Sequence, residues 1–121
     1  SMQDLKQRTF GFAVAVARLI QELPFNTVNK AYANQLIRCS SSVGANYRAA
    51  RRAKSDADFI NKLKIVEEEA DESVYFLELL LIFNPGLSEQ INYLINEATA
   101  LLRIFVASLK TTRSNLNKNS G

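Results

Sequence analysis

Residues 35–72 read QLIRCSSSVGANYRAARRAKSDADFINKLKIVEEEADE, a basic amphipathic segment joined to an acidic one at a single capping site. At the join, Ser55 is followed three residues later by Asp58, a spacing typical of a helix N-terminus. In such a capping box the second side chain bonds back to the N-cap backbone, and Asp does this less well than Glu or Gln. The pattern predicts two helices of opposite charge with a very short connection. Opposite charges suit docking between subunits as well as capture of a phosphate backbone, so this segment leaves the function open.

The length and composition of the chain favour one folded domain. A domain of 121 residues buries about two-thirds of its unfolded surface without disulfides or metal. No apolar run approaches the roughly 20 residues that span a bilayer, and no leader opens the chain, so we expect a cytoplasmic protein without membrane contact. Ser1 before Met2 resembles the remnant of a cleaved expression tag, and residues 1–3 are interpreted as that remnant and a lead-in.

Charge is distributed unevenly along the sequence. The net charge is only +3, but residues 30–64 hold eight basic and two acidic residues, whereas residues 65–102 hold eight acidic residues and no basic one. Residues 103–121 then hold four basic residues and no acidic one. The acidic block can neutralise the basic one inside the fold or across an interface, so the high pI is weak support for nucleic-acid binding.

Turn and cap signals divide the chain into four helical segments. In chain order these signals are Pro24, a predicted N-cap at Asn29, a second at Ser55, and the breaker Asn84-Pro85-Gly86. The predicted helices cover residues of about 4–23, 29–53, 55–83 and 88–110. The remaining residues, 111–121, are predicted to form a polar flexible tail. The fold class is therefore all-α, an antiparallel up-down four-helix bundle over residues 4–110.

A helical wheel of the second segment separates two faces. The predicted buried face holds Leu36, Ser40, Val43, Tyr47 and Ala50. The opposite face holds Asn34, Arg38, Ser41, Arg48 and Arg52. Small residues fill this stretch where Leu or Ile is usual, which predicts close approach of a neighbouring helix. A phosphate-binding loop is disfavoured because the run lacks the glycine spacing and following Lys of a P-loop.

The third segment carries a heptad pattern typical of a bundle seam. Its positions are Phe59, Leu63, Val66, Ala70, Ser73, Leu77 and Leu80. Beyond Ser73 the faces of the third helix outside the seam are apolar too. A single antiparallel four-helix monomer buries only about half of the surface of each helix. The excess apolar surface predicts an oligomer.

The acidic run in the third segment invites a metal hypothesis. Glu67 with Asp71 and Glu68 with Glu72 stand four residues apart, which in helical bundles can hold a metal. Di-iron bundles also need a Glu-x-x-His spacing, and the chain has no His, although an all-oxygen Mg²⁺ site stays open as an alternative. The lone Cys39 has no disulfide partner and no imidazole to activate it. We therefore expect no enzyme, no cofactor and no metal.

An ion-pair role for these carboxylates is the preferred interpretation, within one chain or between subunits. The candidates are Arg38, Arg48, Arg52, Glu67, Glu68, Asp71 and Glu72.

The basic residues support a different hypothesis, contact with the phosphates of RNA or DNA. They cluster near the connection of the second and third helices, and the candidates are Arg48, Arg51, Arg52, Lys54, Lys62 and Lys64. Repetition around an oligomer would multiply their positive potential. Tyr32 and Tyr47 lie close to the core stripe, so base stacking is not indicated.

The same stretch closely resembles the bacterial four-helix bundle protein family of intervening sequences in 23S ribosomal RNA genes. The similarity covers residues 5–110, and its most specific elements are Ser42-Val43-Gly44-Ala45-Asn46 and Ser55-x-x-Asp58-Phe59. Many relatives continue the first element with Ala-Glu-Gly, where this chain has Arg48-Ala49-Ala50. Any role tied to that Glu does not carry over.

The resemblance implies a four-helix bundle that assembles as a ring, a homopentamer. It also implies kinship with the accessory variability determinant proteins of diversity-generating retroelements, basic pentamers associated with a reverse transcriptase and nucleic acid. No catalytic motif comes with it. A ring requires two different surfaces to meet, and a basic second helix beside an acidic third helix could supply them.

Two functions follow as hypotheses. The first is a non-enzymatic oligomeric binding protein, an RNA- or DNA-associated accessory factor with a basic surface on its second helix. The second is a structural adaptor ring that docks a protein partner and uses its arginines in salt bridges between subunits. An enzyme ranks third because nucleophile, base and metal constellations are all missing from the sequence.

Overall fold

The computed structural model of the chain describes residues 4–120, with side chains described as far as residue 118. The proposed tag remnant at residues 1–3 lies outside this range. The four α-helices of the described range are α1 (Leu5–Glu22), α2 (Thr27–Arg51), α3 (Asp56–Phe83) and α4 (Ser88–Ser120). Each helix packs on its neighbours in the order α1, α2, α3 and α4, and α4 also contacts α1. Because the connections are short, this order makes an antiparallel bundle, which confirms the all-α prediction.

Polar caps set the starts of the second and third helices. Asn26, not Asn29, caps α2: its Oδ1 accepts the backbone N–H of Asn29 at 2.8 Å. Ser55 caps α3 as predicted, accepting the backbone N–H of Asp58 at 3.1 Å. The Asp58 carboxylate in turn accepts the backbone N–H of Lys54 at 3.4 Å, a long form of the reciprocal bond.

Burial follows the predicted helical faces. All five positions predicted for the inner face of α2 are buried, and all five on the opposite face are exposed. Six of the seven seam positions on α3 are buried, and Phe59 at the start of the seam is half-buried. The core lies between the four helices, where the 3.6-residue period places these side chains.

Gly44 of α2 lies directly against Thr9 of α1. A Cβ atom built at Gly44 would lie 3.1 Å from Oγ1 of Thr9, which is fully buried on α1. The Thr9 hydroxyl is held in place, because it donates to the backbone carbonyl of Leu5 at 2.7 Å. The small residues of α2 thus permit the close approach that the sequence predicts.

A pair of buried asparagines joins the first turn of α2 to the residue that ends α3. Asn29 and Asn84 are 2% and 6% exposed, and each donates from Nδ2 to the other's Oδ1, at 2.9 and 2.8 Å. Asn29 also donates to the Pro24 carbonyl and Asn84 to the Leu80 carbonyl. Below we refer to Asn29 and Asn84 as the asparagine pair.

The fourth helix is longer than the sequence suggests. It runs to Ser120, so the predicted boundary at residue 110 and the predicted tail at 111–121 are corrected to a helix through residue 120. The segment from 111 to 120 has no Pro or Gly to stop the helix. The Thr112 hydroxyl also donates to the Ser108 carbonyl at 2.8 Å, so it does not compete with helix formation.

Candidate nucleic-acid interface

The antiparallel order collects basic residues at one end of the bundle. The start of α1, the end of α2, the start of α3 and the last turns of α4 meet there, because Tyr47 near the end of α2 packs on Phe105 of α4 with ring centroids 6.1 Å apart. We call this the basic end. Its main cations are Arg48, Arg51, Arg52, Lys54, Lys62, Lys64, Lys110, Arg113 and Lys118.

The end of α2 and the connection from α2 to α3 provide a group of cations without ion pairs to described residues. Arg48, Arg51, Arg52 and Lys54 are exposed, and none of them forms an ion pair with any described residue. The Arg48 guanidinium lies 6.0 Å from the ring centroid of Phe10, which is 60% exposed on α1. Such a contact holds the guanidinium in place without neutralising its charge.

The two lysines of α3 differ in their partners. Lys62 donates to Asp58 at 2.7 Å, and this bond lowers the pKa of the Asp58 carboxyl. Lys64 is exposed and has no ion pair among the described residues. Lys62 is therefore partly neutralised, whereas Lys64 is available to an anion.

The acidic part of α3 neutralises only one arginine of the basic second helix. Arg38 Nη1 lies 3.1 Å from Glu69 and Nη2 lies 2.7 Å from Glu72, so both ion pairs form within one chain. The bond to Glu72 raises the pKa of Arg38, and burial raises the pKa of Glu69 although Arg38 opposes this. Glu69 was not among the predicted ion-pair residues.

The other predicted ion-pair residues do not meet within the chain. Glu67, Glu68 and Asp71 have no ion pair with a described residue, and neither do Arg48 and Arg52. The helical period explains this result, because only Glu69 and Glu72 lie on the side of α3 that faces α2.

Sequence reasoning missed one ion pair that joins α1 to α4. Arg8 Nε and Nη2 donate to the two carboxylate oxygens of Glu97 at 2.8 and 2.7 Å. This two-point contact raises the pKa of the Arg8 guanidinium. The residues are 89 positions apart, so no local pattern could have revealed the pair.

Glu97→Gln is expected to lower the free energy of unfolding by about 1 kcal/mol, since two-point Arg–carboxylate contacts exceed the average surface pair. Urea unfolding followed by circular dichroism checks this value, and the loss should shrink as salt rises. Glu78→Gln is the matched control, because Glu78 is exposed on α3, outside its first and last turns, and forms no ion pair with a described residue. An equal effect of both changes would contradict a specific contribution from the Arg8 contact.

Sequence reasoning also missed Lys110, Arg113 and Lys118 as part of the basic end, because it placed most of them in a tail. The charge distribution of the sequence contains a signal for these residues, because residues 103–121 carry four basic residues and no acidic one. The helix holds these three side chains exposed at the same end of the bundle as the end of α2 and the start of α3.

Metal and thiol chemistry find no support in the described part of the chain. No group of three or more His, Cys, Asp or Glu residues there is arranged to hold a metal ion. Cys39 is buried against Ser73, whose hydroxyl lies 3.4 Å from the sulfur, and burial raises the pKa of the thiol. Within the same range, no helix combines the length and the hydropathy needed to cross a membrane.

Fold and charge together define a class: an all-α four-helix bundle whose exposed cations are concentrated at one end. The family of 23S rRNA-intervening sequence proteins matches residues 2–107, and the chain belongs to this family. A solved structure of similar fold is a protein of unknown function from the S23 ribosomal protein family of Bacteroides thetaiotaomicron. The two chains are 35% identical with a TM-score of 0.77, and the match covers 88% of this chain and 99% of the other. None of the curated proteins compared with the chain matches it.

Proposed function

We propose that this protein is a non-enzymatic, oligomeric binding protein that contacts the phosphates of RNA or DNA through its basic end. The observation that carries the proposal is the unpaired state of Arg48, Arg51, Arg52 and Lys54, which stand together at the end of α2. Exposed guanidinium and ammonium groups in such a group attract a phosphate backbone and gain affinity by releasing its counterions. The name of the family, which refers to ribosomal RNA, agrees with this ligand class.

Exposed apolar side chains support the oligomeric part of the proposal. Phe25 is 93% exposed, and Ile82 and Phe83 of α3 are more than half exposed. On the other side of the bundle, Phe10 and Tyr93 line an open groove between α1 and α4. Two different apolar surfaces on one protomer are what a head-to-tail ring requires. The homopentamer implied by the family resemblance is one such ring.

Salt dependence tests nucleic-acid binding. The wild-type protein should bind RNA or DNA at low ionic strength, and the logarithm of its affinity should fall linearly with the logarithm of salt concentration. Arg48→Ala/Arg52→Ala should reduce the magnitude of that slope by about 1.8, since each lost phosphate contact contributes about 0.9. Arg18→Ala/Lys30→Ala removes the same charge from exposed positions outside the basic end and should leave the slope unchanged. Absence of binding by the wild-type oligomer at low salt would refute the proposal.

An adaptor ring is the second candidate, and a specific observation favours it. Glu67, Glu68 and Asp71 form no ion pair with a described residue of their own chain, so they could receive Arg48 and Arg52 of a neighbouring subunit. Reversing both charges, Arg48→Glu/Arg52→Glu, separates the two candidates when light scattering is measured beside RNA binding. Dissociation of the oligomer favours the adaptor, whereas an intact oligomer that loses RNA favours the nucleic-acid interface.

A further inference from the structure

A small groove lies between α1 and α2, next to the basic end. Four residues of each helix line it, and half of this lining consists of small residues: Ala13, Ser41, Gly44 and Ala45. The volume of the groove is about 270 Å³. Pockets for drug-sized ligands measure about 300–1,000 Å³. The groove therefore suits a single flat ring better than a larger molecule.

Two cations line the end of this groove that opens toward the basic end. Lys6 is in the first turn of α1 and Arg48 is in the last turn of α2. Both side chains are exposed, and neither forms an ion pair with a described residue. The carboxylate of Asp4 is engaged as the cap of α1, where it accepts the backbone N–H of Lys6 at 2.9 Å. An anionic group that enters the groove at this end thus meets two cations.

Phe10 forms an aromatic wall of the same groove. Its ring is 60% exposed, and the Arg48 guanidinium lies 6.0 Å from the ring centroid. This distance is at the outer limit of cation–π contacts, about 6 Å, so the contact is weak. A phosphate offers the guanidinium a stronger, charge-assisted hydrogen bond. When Arg48 turns to such a partner, Phe10 presents a free aromatic face.

Other rings of α2 are not available in this way. Tyr32 packs against Phe76 and Phe83 with ring centroids 6.3 and 6.1 Å apart, and Tyr47 packs on Phe105. Proteins that bind single strands without sequence preference combine a positively charged groove with aromatic rings on which bases stack. The groove between α1 and α2 combines these two elements.

The chemistry of the groove favours a nucleotide over an apolar side chain of a protein partner. An apolar side chain would cover Lys6 and Arg48 without supplying a counter-charge, and a buried unpaired charge is costly. A nucleotide brings a flat ring and an anionic phosphate together. A base inside a duplex remains in its stack and cannot reach Phe10 unless it is flipped out. The fitting ligand is therefore a strand with unpaired bases.

We propose that this groove binds one unpaired base of a single-stranded RNA or DNA, with the base stacked on Phe10 and its phosphate bound by Lys6 and Arg48. This inference rests on the proposed function, and it adds the ligand class, a single strand, and the residues Lys6 and Phe10. Arg48 belongs both to the groove and to the group of cations at the end of α2. The strand therefore continues from the groove toward Arg51 and Arg52.

Three polyanions test the inference: an oligouridine and an oligothymidine of about 20 nucleotides, and a polyphosphate of matching length, which has no bases. Phe10→Leu should weaken binding of at least one strand about tenfold, since the stacking of one base contributes at least this much. The salt slope and polyphosphate binding should stay at the wild-type values. Arg48→Ala should instead reduce the slope for a single strand by about 0.7. The two strands distinguish RNA from DNA as the ligand.

A second variant fills the groove from the side of α2. Ala45 is exposed there, and Ala45→Leu keeps a good helix former while it occupies the space of the base. It should weaken binding of the same strand about tenfold. Phe25→Leu is the matched control for Phe10→Leu, because Phe25 is 93% exposed and lies outside the groove. This control should bind all three polyanions as the wild-type protein does.

Light scattering accompanies each binding measurement, because Phe10 also lines the groove between α1 and α4. Leucine keeps an apolar side chain at this position, so the oligomeric state should match that of the wild-type protein. Dissociation of the oligomer by Phe10→Leu or Ala45→Leu would assign the groove to a contact between subunits and overturn the inference.

Two binding results also overturn the inference. One is unchanged strand binding by Phe10→Leu or Ala45→Leu, and the other is an equal loss of strand and polyphosphate binding. In both cases salt-dependent strand binding by the wild-type protein leaves the proposed function intact. A wild-type protein that binds none of the three polyanions at low salt overturns both.

Discussion

Asn84→Leu is expected to lower the free energy of unfolding by about 3 kcal/mol, because the change leaves the buried Oδ1 of Asn29 and one of the two Nδ2 hydrogens of Asn29 without a partner. Asn29 Oδ1 loses its hydrogen bond from Asn84 Nδ2, which is 2.8 Å long, and Asn29 Nδ2 loses its hydrogen bond to Asn84 Oδ1, which is 2.9 Å long. The Leu80 carbonyl loses a donor too. Urea unfolding followed by circular dichroism measures the loss.

Asn61→Leu is the matched control for Asn84→Leu, since Asn61 is exposed on α3 and its side chain forms no hydrogen bond with a described residue. Its effect should stay within about 0.5 kcal/mol. The double variant Asn29→Leu/Asn84→Leu should be more stable than the sum of the single effects suggests, because removing both partners leaves fewer unsatisfied groups. Strictly additive effects would contradict the argument that the two amides act as a pair.

Gly44→Leu should also lower the free energy of unfolding by about 3 kcal/mol, because overpacking at a helix contact forces the helices apart. The first added atom already falls 3.1 Å from Oγ1 of Thr9 and 3.5 Å from the backbone carbon of Thr9. The backbone of α1 cannot yield as a flexible side chain would, so α1 has to move as a unit.

Gly11→Leu is the control for the Gly44 variant. Gly11 is in the interior of α1, and an added Cβ meets no atom within 4 Å. Replacing a helical glycine at an open position should leave the free energy of unfolding equal or raise it by up to about 1 kcal/mol. Similar losses at both glycines would show that packing against Thr9 is not the cause.

The sequence predicts the helical faces well because their period depends only on local geometry. The inner face of α2 from Leu36 to Ala50 follows from the 3.6-residue repeat, and its small residues correctly indicate a close neighbour. The end of α4 is harder to predict, because residues 111–120 are rich in Ser, Thr and Asn, a composition typical of loops. The apolar residues Leu109 and Leu116 continue the helical spacing into this segment, and this spacing is the signal in the sequence that fits the longer helix.

The candidate site is only partly predictable, since its properties depend on contacts between distant segments. The grouping of Arg48, Arg51 and Arg52 follows from the sequence. The sequence does not show which arginines remain without an ion pair, because the pairing depends on which side of α3 faces α2. Asn29 illustrates the same limit: its residue type suits an N-cap, but its partner is 55 positions away.

The separation of charge along the bundle also has a kinetic consequence. Glu67 and the acidic residues after it as far as Glu89 belong to the middle and later part of α3 and the first turn of α4, away from the basic end, whereas Glu97 is paired with Arg8. A protomer is thus an electric dipole, and the field of an approaching polyanion turns it before contact. Productive encounters then become more frequent than random orientation allows, and the gain in association rate disappears as salt screens the field.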